Sequence, residues 1–508
     1  MKNKVVKNAS IILACSIIAK ALSYVWEAIL ATYFGATNQA DAFYMTTSIF
    51  NIIYPILDIG IWKVFLPIYK TKLVQKKEDD ASRVANIAIT LFFLFSCGLI
   101  IILLVLSKPL VAAFAPGFSD EKKAVTIEYM RLCTPYLLFA AASSLIGAML
   151  QSHERFLGSQ IREIGTHVAR LVCIVICFQS FGIYAAILAM IVGSIFRLLV
   201  QIPFINWKWK FKPDFHFLNE DIIPMLKGLP SVAVTAAISH LNGLIDKMVA
   251  SGAASGSVAC MNYGHKLMSV FNGMVSTAIG TAVYPSIIQY ITEKTNNRLK
   301  ELLTNLINVF GFVIIPITCF CMLFSEQLVT IAFQRGTFDA SATSITAGVF
   351  SGYCLGLLFM GVSTSVTNVF YGYGDTRITM VISLIGITVN IVLDLFFIRF
   401  WGVTGLAFAT SVAEGISLCI RFVCLRKYIR LRYKPILMEY AKIVLMSLLS
   451  CGTPYLLFSW FPKTNVYVSL LICGILCGGM YFGLAALLRV KALKLAISLA
   501  GRRLDRKK

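Results

Sequence analysis

The sequence predicts an all-α integral membrane protein of about fourteen transmembrane helices, two parallel six-helix lobes around a central cavity plus two C-terminal helices. Three observations lead there. Apolar residues make up 58% of the 508 positions and charged ones 14%, against roughly 25% charged in an average soluble domain. Apolar runs of about 20 residues, enough to cross a bilayer, recur from end to end, with no stretch between them long enough for a soluble domain. The chain also repeats itself at a nearly constant offset, as a duplicated bundle does.

The first run, 9–33, opens from MKNKVVKNASIILACSIIAKA, which has the basic start and loose lipobox (ILAC) of a signal peptide. Its apolar stretch continues well past Cys15 and the duplication requires this helix, so it reads as a retained first span. The second run, 40–69, contains Pro55, Asp58 and Gly60 within NIIYPILDIGIWKVF. Proline and glycine free backbone groups and permit bending, so Pro55 and Gly60 mark either a hinge or an inert kink. Runs 84–107, 124–151, 157–180 and 182–206 complete a first lobe at 1–210. A cytoplasmic linker at 211–221 leads to a second lobe at 222–428, with runs 222–250, 256–290, 299–324, 340–372, 376–399 and 401–425. Runs 436–460 and 465–488 and a basic tail fill 429–508.

The duplication rests on several ordered matches. SKPLVAAFAPGF (107–118) echoes SEQLVTIAFQRGTF (325–338). Leu137-Leu138-Phe139 recurs as Leu357-Leu358-Phe359, 220 positions later, and Gly182, Ala189 and Val192 recur as Gly402, Ala409 and Val412 at the same offset. A unit with an even number of spans gives both copies the same orientation, and such parallel repeats flank a central substrate site in transporters.

The net charge of +22 is distributed as membrane topology, not as a nucleic-acid surface. Basic residues cluster at alternate connections, among them Lys70, Lys72, Lys76, Lys77 and Arg83, then Lys208, Lys210 and Lys212, then Lys294, Arg298 and Lys300. The intervening connections GATNQA, QSFGI and SGAASGS carry none. This positive-inside pattern places both termini in the cytoplasm, with an even number of spans. The fourteen cysteines are scattered through the apolar runs, where cysteine acts as a small hydrophobe, so neither disulfides nor a metal cluster is expected.

A charge at the centre of a bilayer costs at least about 2.5–3.5 kcal/mol and therefore marks a functional candidate. Lys266, in ACMNYGHKLMSVF, lies about 15 Å into its helix; Lys20 is mid-way along the first run and Arg131 a couple of turns into the fourth. Facing a central gap, these cations suit an anionic substrate such as a diphosphate. The alternative is internal pairing, Lys20 with Asp41 or Lys266 with Glu27. Asn390 and Asp394 are four apart and share a helix face. With Asp246 and Thr410 they make a candidate hard-oxygen site for Na⁺ or H⁺, the alternative being ion pairs to neighbours such as Lys247.

FGATNQADAF (34–43), APGF (115–118), TPYLLF (134–139), GAMLQSHERF (147–156), LIDKMVASGAASGSVACMNYGHKLM (244–268) and QRGTFDASATSITA (334–347) carry a resemblance over nearly the whole chain. The sequence resembles the MurJ/MviN lipid II flippases of the multidrug/oligosaccharidyl-lipid/polysaccharide exporter superfamily. The resemblance implies fourteen helices, a central cationic cavity and a groove for a polyprenyl tail beside the last two. It further implies transfer of an undecaprenyl-diphosphate-linked peptidoglycan precursor from the inner to the outer leaflet. Lys20 and Lys266 stand where typical members place cavity arginines, and Asp41 matches the aspartate of their DAF motif. Asp246, Asn390, Asp394 and Thr410 match a sodium site proposed in some members. Trp26 and Tyr54 stand where such members have arginine, which brings another lipid-linked oligosaccharide into view as substrate.

A drug exporter would share the bundle but favour an acidic or aromatic cavity. A membrane enzyme would need a catalytic base in a sizeable aqueous loop, and APGFSDEKK is the one external connection rich in charge. No nucleotide-binding loop is present in the sequence. The expectation is therefore a non-enzymatic flippase, functional as a monomer, with no cofactor beyond a coupling Na⁺ or H⁺. Its partners would be a polyprenyl-diphosphate-linked glycan and membrane lipids, with no nucleic acid.

Overall fold

A computed structural model describes residues 2–207, 209–460, 465–488, 490 and 492–493. Lys208 and the basic tail 501–508 lie outside the described residues. Among those described, the regular structure is helical throughout, and each apolar run read from the sequence falls on a helix. Among the described residues, eleven helical stretches are long and apolar enough to cross a membrane. The sequence count of about fourteen is larger partly because Thr376–Leu425 is one helical stretch broken at Gly402, covering the runs 376–399 and 401–425. Packing divides the chain into two compact units, Met1–Ala259 and Cys260–Lys508.

The first unit contains α1 (Lys2–Phe34), α2 (Asn38–Pro55), a π-helical turn (Ile56–Gly60), α3 (Ile61–Val74), α4 (Glu78–Phe114), α5 (Asp120–Cys133) and α6 (Tyr136–Ser152). It continues with α7 (Phe156–Phe181), α8 (Tyr184–Leu199) and α9 (Ile223–Ala250). Helix α6 is its centre, packed on α3, α4, α7 and α8. The reason is local: AAASSLIGA presents small side chains that let neighbouring backbones approach, and a Cβ at Gly147 would stand 2.7 Å from the Trp62 ring. The duplication boundary drawn at 211–221 falls one helix earlier than the packing boundary, because α9 packs on α2 and α3 and Lys247 donates to Ser48 Oγ at 2.7 Å.

The second unit begins within α10 (Ser257–Thr292), whose first turn belongs to the first. It holds α11 (Asn296–Leu323), α12 (Ser325–Phe333), α13 (Ala340–Leu355), α14 (Leu357–Gly372), α15 (Thr376–Leu425), α16 (Tyr433–Trp460) and α17 (Val466–Leu487). Gly348 and Gly352 on α13 and Gly356 at its C-cap recur every fourth residue and seat Thr404, Ala407 and Ser411 of α15. Ser411 Oγ donates to the Gly352 carbonyl at 2.6 Å. Small residues at this spacing are how helices pack closely where lipid removes the hydrophobic drive.

The geometry inside each unit repeats. Ser119 accepts from Lys122 N at the start of α5, and Asp339 accepts from Ala342 N at the start of α13, both pairs 220 positions apart. Gly182 and Gly402, also 220 apart, both take φ near +55°, at +53° and +57°, a region that L-residues with a Cβ avoid. His153 stacks on Trp207 at 4.0 Å, while Tyr373, its counterpart by the same offset, stacks on Tyr428 at 4.4 Å. One departure is informative. Where α4 runs unbroken to Phe114, its counterpart breaks at Phe324 into α11 and α12, and the buried Phe324 ring joins Cys451, Cys473 and Cys477 of α16 and α17. The residue at the break is thus one of the contacts that hold the two extra helices, beside Phe312 and Ile315 of α11.

Candidate functional site

Three sequence motifs of the first unit converge at one end of it. Gly117 of APGF lies against the turn after α9, where a Cβ on it would meet Gly252 Cα at 2.4 Å, and its N–H donates to Ser251 Oγ at 3.1 Å. Asp41, from the ADAF stretch of α2, is 1% exposed. Its Oδ2 accepts Lys122 Nζ at 2.5 Å and Gly256 N–H at 2.7 Å, and its Oδ1 accepts Ala259 N–H at 2.8 Å. Helix N-termini leave backbone donors without intrahelical partners, and a carboxylate there is favoured by the helix dipole. Asp41 thus caps α10 from another helix. The Lys20–Asp41 pairing left open by the sequence is replaced by Lys122–Asp41, with Lys122 also lying over the Phe118 ring at 4.2 Å.

A second polar cluster surrounds the π-helical turn that Pro55 and Gly60 bracket. Asp58 accepts Arg162 Nη1 at 3.0 Å and Arg197 Nη2 at 2.9 Å. Arg197 Nη2 also meets Glu163 at 2.8 Å, while its Nη1 donates to the Tyr54 hydroxyl. Ser144 of α6 donates to Asp58, and Tyr54 stacks on Tyr136 at 5.0 Å. The cluster joins α2, α6, α7 and α8. Sequence reasoning placed Asp58 in an interrupted helix but missed Arg162, Glu163 and Arg197. The available signal was their position inside apolar runs, where an ionisable group requires a partner.

Other candidates are distributed as follows. Lys20 is exposed on α1, and Lys266 is half-buried about 14 Å along α10. Its neighbour His265 is exposed and edge-on to Tyr353 at 5.3 Å. Arg131 is exposed and donates to Ser107 Oγ at 2.9 Å. Trp26 is buried, and Glu27, also buried, accepts the Tyr44 hydroxyl at 2.8 Å. In the second unit Asn390 and Asp394 are brought together: Asn390 Nδ2 donates to Asp394 Oδ1 at 3.0 Å, both fully buried. Thr410 donates to the Leu406 carbonyl at 3.0 Å. Asp246 is buried in the first unit.

Comparison with known proteins places this architecture. The family model "Lipid II flippase MurJ" matches residues 30–476. A probable lipid II flippase MurJ of Rickettsia prowazekii (strain Madrid E) is 26% identical over 506 residues, covering 95% of this chain and 98% of that protein. One from Buchnera aphidicola subsp. Baizongia pistaciae (strain Bp) is 25% identical over 410 residues, 79% of each. Among solved structures, lipid II flippase MurJ in an inward closed conformation matches with a TM-score of 0.77 at 20% identity, covering 94% of this chain and 98% of that one. An inward-facing multidrug resistance MATE family transporter matches with 0.69 at 14% identity, covering 80% and 94%. These two likenesses concern the fold. The family model spans most of the sequence, and the chain belongs to the lipid II flippase MurJ family.

Proposed function

We propose that this chain moves lipid II, a polyprenyl-diphosphate-linked cell-wall precursor, from the inner to the outer leaflet of a bacterial cell membrane by alternating access. In this reading it acts as a monomer with both termini in the cytoplasm. The family match over residues 30–476 carries the reading. Lys20 and Lys266 support it, being cations at depths where a charge is tolerated only for a purpose. A lysine offers a diphosphate a point charge, without the two-pronged grip of an arginine. Alternating access needs a helix that bends, and the π-helical turn at Ile56–Gly60 follows Pro55 and carries Asp58 of the ion cluster.

For the coupling ion, Asn390 and Asp394 fit a hard cation. The Asn390 amide nitrogen is spent on Asp394, which leaves its buried Oδ1 without a hydrogen bond, and an oxygen-only set is what Na⁺ takes. Thr410, in the same unit, would supply a further oxygen. Binding there would tie substrate movement to the sodium gradient; a proton on Asp394 would serve the same end.

A second reading, transport of another lipid-linked oligosaccharide, is favoured by Trp26 and Tyr54. One is packed in the core and the other is bonded to Arg197, at positions where the resemblance implies arginine. The test is rescue of a bacterium depleted of its own lipid II flippase, with Lys266→Ala beside the wild type. Rescue by the wild type and loss in the variant support lipid II. A folded, membrane-inserted wild type that fails to rescue overturns that substrate and leaves the second reading.

A further inference from the structure

The second unit carries an apolar groove of about 440 Å³ between α11, α12 and α17. Phe320, Ile331, Leu470, Leu471 and Gly474 line it, and Tyr467 stands at its edge. Three features set it apart from ordinary lipid-facing surface. The first is its origin. The chain break at Phe324 separates α12 from α11, a departure that the unbroken α4 of the first unit lacks. The second is its floor, where Gly474 contributes no side chain and a Cβ there would meet only Phe320 Cζ, at 3.9 Å. The third is its mouth. Arg335, exposed on the turn after α12, donates through Nη2 to the Tyr467 hydroxyl at 3.3 Å and to the Ile331 carbonyl at 2.8 Å. Both of those residues line the groove.

No carboxylate among the described residues pairs with Arg335, and its two hydrogen bonds both use Nη2, so most of its five donors point elsewhere. A guanidinium with free prongs is matched to phosphate. The turn lies at the end of α12 corresponding, through the repeat, to APGF, on the side away from the basic connections at Lys294 and Arg298. A tyrosine and an arginine at such a level mark the headgroup region of a bilayer, and the apolar groove runs from them toward the hydrocarbon.

We infer that this groove, with Arg335 and Tyr467 at its mouth, is a binding site for one anionic glycerophospholipid. An acyl chain lies along Gly474 and Phe320, and the phosphate sits on the free donors of Arg335. The cation selects the headgroup; the groove, which is uncharged and open to the bilayer, accepts the chain. The helices that line the site are α11, α12 and α17, so lipid held there braces the last helix against the rest of its unit.

The test uses the full-length purified protein and native mass spectrometry, titrated with phosphatidylglycerol and with phosphatidylcholine of identical chains. The wild type is expected to retain one phosphatidylglycerol at about tenfold or more lower concentration than phosphatidylcholine, the scale of one charge-assisted bond. Arg335→Ala removes that preference. Gly474→Leu, which fills the floor, abolishes retention of both lipids at this site. Arg335 is on an exposed turn, so its variant tests the headgroup even where the glycine variant folds poorly. Retention with unchanged preference in Arg335→Ala, or equal retention of the two lipids by the wild type, overturns the site. Displacement of phosphatidylglycerol by equimolar undecaprenyl phosphate overturns the choice of a phospholipid as occupant.

Discussion

Arg197 Nη2 lies 2.9 Å from Asp58 Oδ2, joining α8 to the π-helical turn between α2 and α3. Because the same nitrogen also reaches Glu163 at 2.8 Å, one guanidinium holds three helices at the point where the second membrane segment departs from α-helical geometry. Removing one member of a buried ionic set leaves the others charged and unpaired, which costs about 3–5 kcal/mol. Arg197→Ala is therefore expected to lower the thermal midpoint in detergent sharply. Arg197→Lys recovers only part of the loss, since an ammonium lacks the fork that spans Asp58, Glu163 and Tyr54. Equal midpoints for wild type and Arg197→Ala would show that the cluster is not a clamp.

Asp41 makes a different kind of junction, in which a side chain finishes the backbone of a distant helix. Asp41→Ala strands Lys122 and the N–H groups of Gly256 and Ala259, a loss on the order of 3 kcal/mol. The specific expectation is local. Hydrogen exchange at Gly256 and Ala259 accelerates far more than exchange in the interior of α6. Asp41→Asn, which keeps an acceptor but no charge, falls between. Uniform acceleration across the unit would contradict a capping role.

Gly352 is the middle of the three glycines that let α13 meet α15. A Cβ there would stand 2.8 Å from Ala407 Cβ, so Gly352→Leu must push the two helices apart, beyond the about 1–3 kcal/mol of ordinary overpacking. Reduced yield of folded protein and a lower thermal midpoint are expected. Gly452→Leu on α16, where a Cβ has nothing within 4 Å, is expected to be tolerated. A tolerant Gly352→Leu would refute the close packing.

His153, in the connection between α6 and α7, has its pKa lowered from the ordinary 6.5 by burial first and by Lys70 second. Its ring stacks on Trp207 and its Nε2 lies 3.1 Å from the Tyr69 hydroxyl. The unfolded chain takes up this proton more readily than the folded one, so stability rises with pH. The contribution is fully present above about pH 6.5 and is lost as pH falls toward the folded value. Thermal midpoints measured from pH 7.5 to 5.5 should fall less steeply for His153→Phe than for the wild type. Identical slopes would remove His153 from the acid response.

Much of the candidate site was legible because bilayer physics makes charges conspicuous. Lys20, Lys266, Asp246 and Asp394 stand out in apolar runs whatever the fold, and the Asn390–Asp394 spacing puts both on one helix face, where the structure joins them by a hydrogen bond. Arg162, Glu163 and Arg197 stand in apolar runs too, yet their meaning depended on Asp58, more than a hundred positions from Arg162 in the chain. Asp41 was legible as a possible partner of Lys20 but not as the cap of α10, since an N-cap is read locally and this one comes from 215 positions away.

By itself, then, the sequence determined the solvent, the helical class, the duplication and the family. Each follows from local or periodic information: apolar run length against bilayer thickness, backbone groups that lipid forces into helices, and recurring motifs at one offset. The tertiary structure alone decided that Asp41 pairs with Lys122 and not Lys20, that Asp58 binds two arginines, and that the chain breaks at Phe324, whose ring packs on α16 and α17. Those outcomes depend on which of several compatible polar groups are brought within about 3 Å. Helix rotation and register settle that choice, and an apolar run of the right length leaves both unspecified.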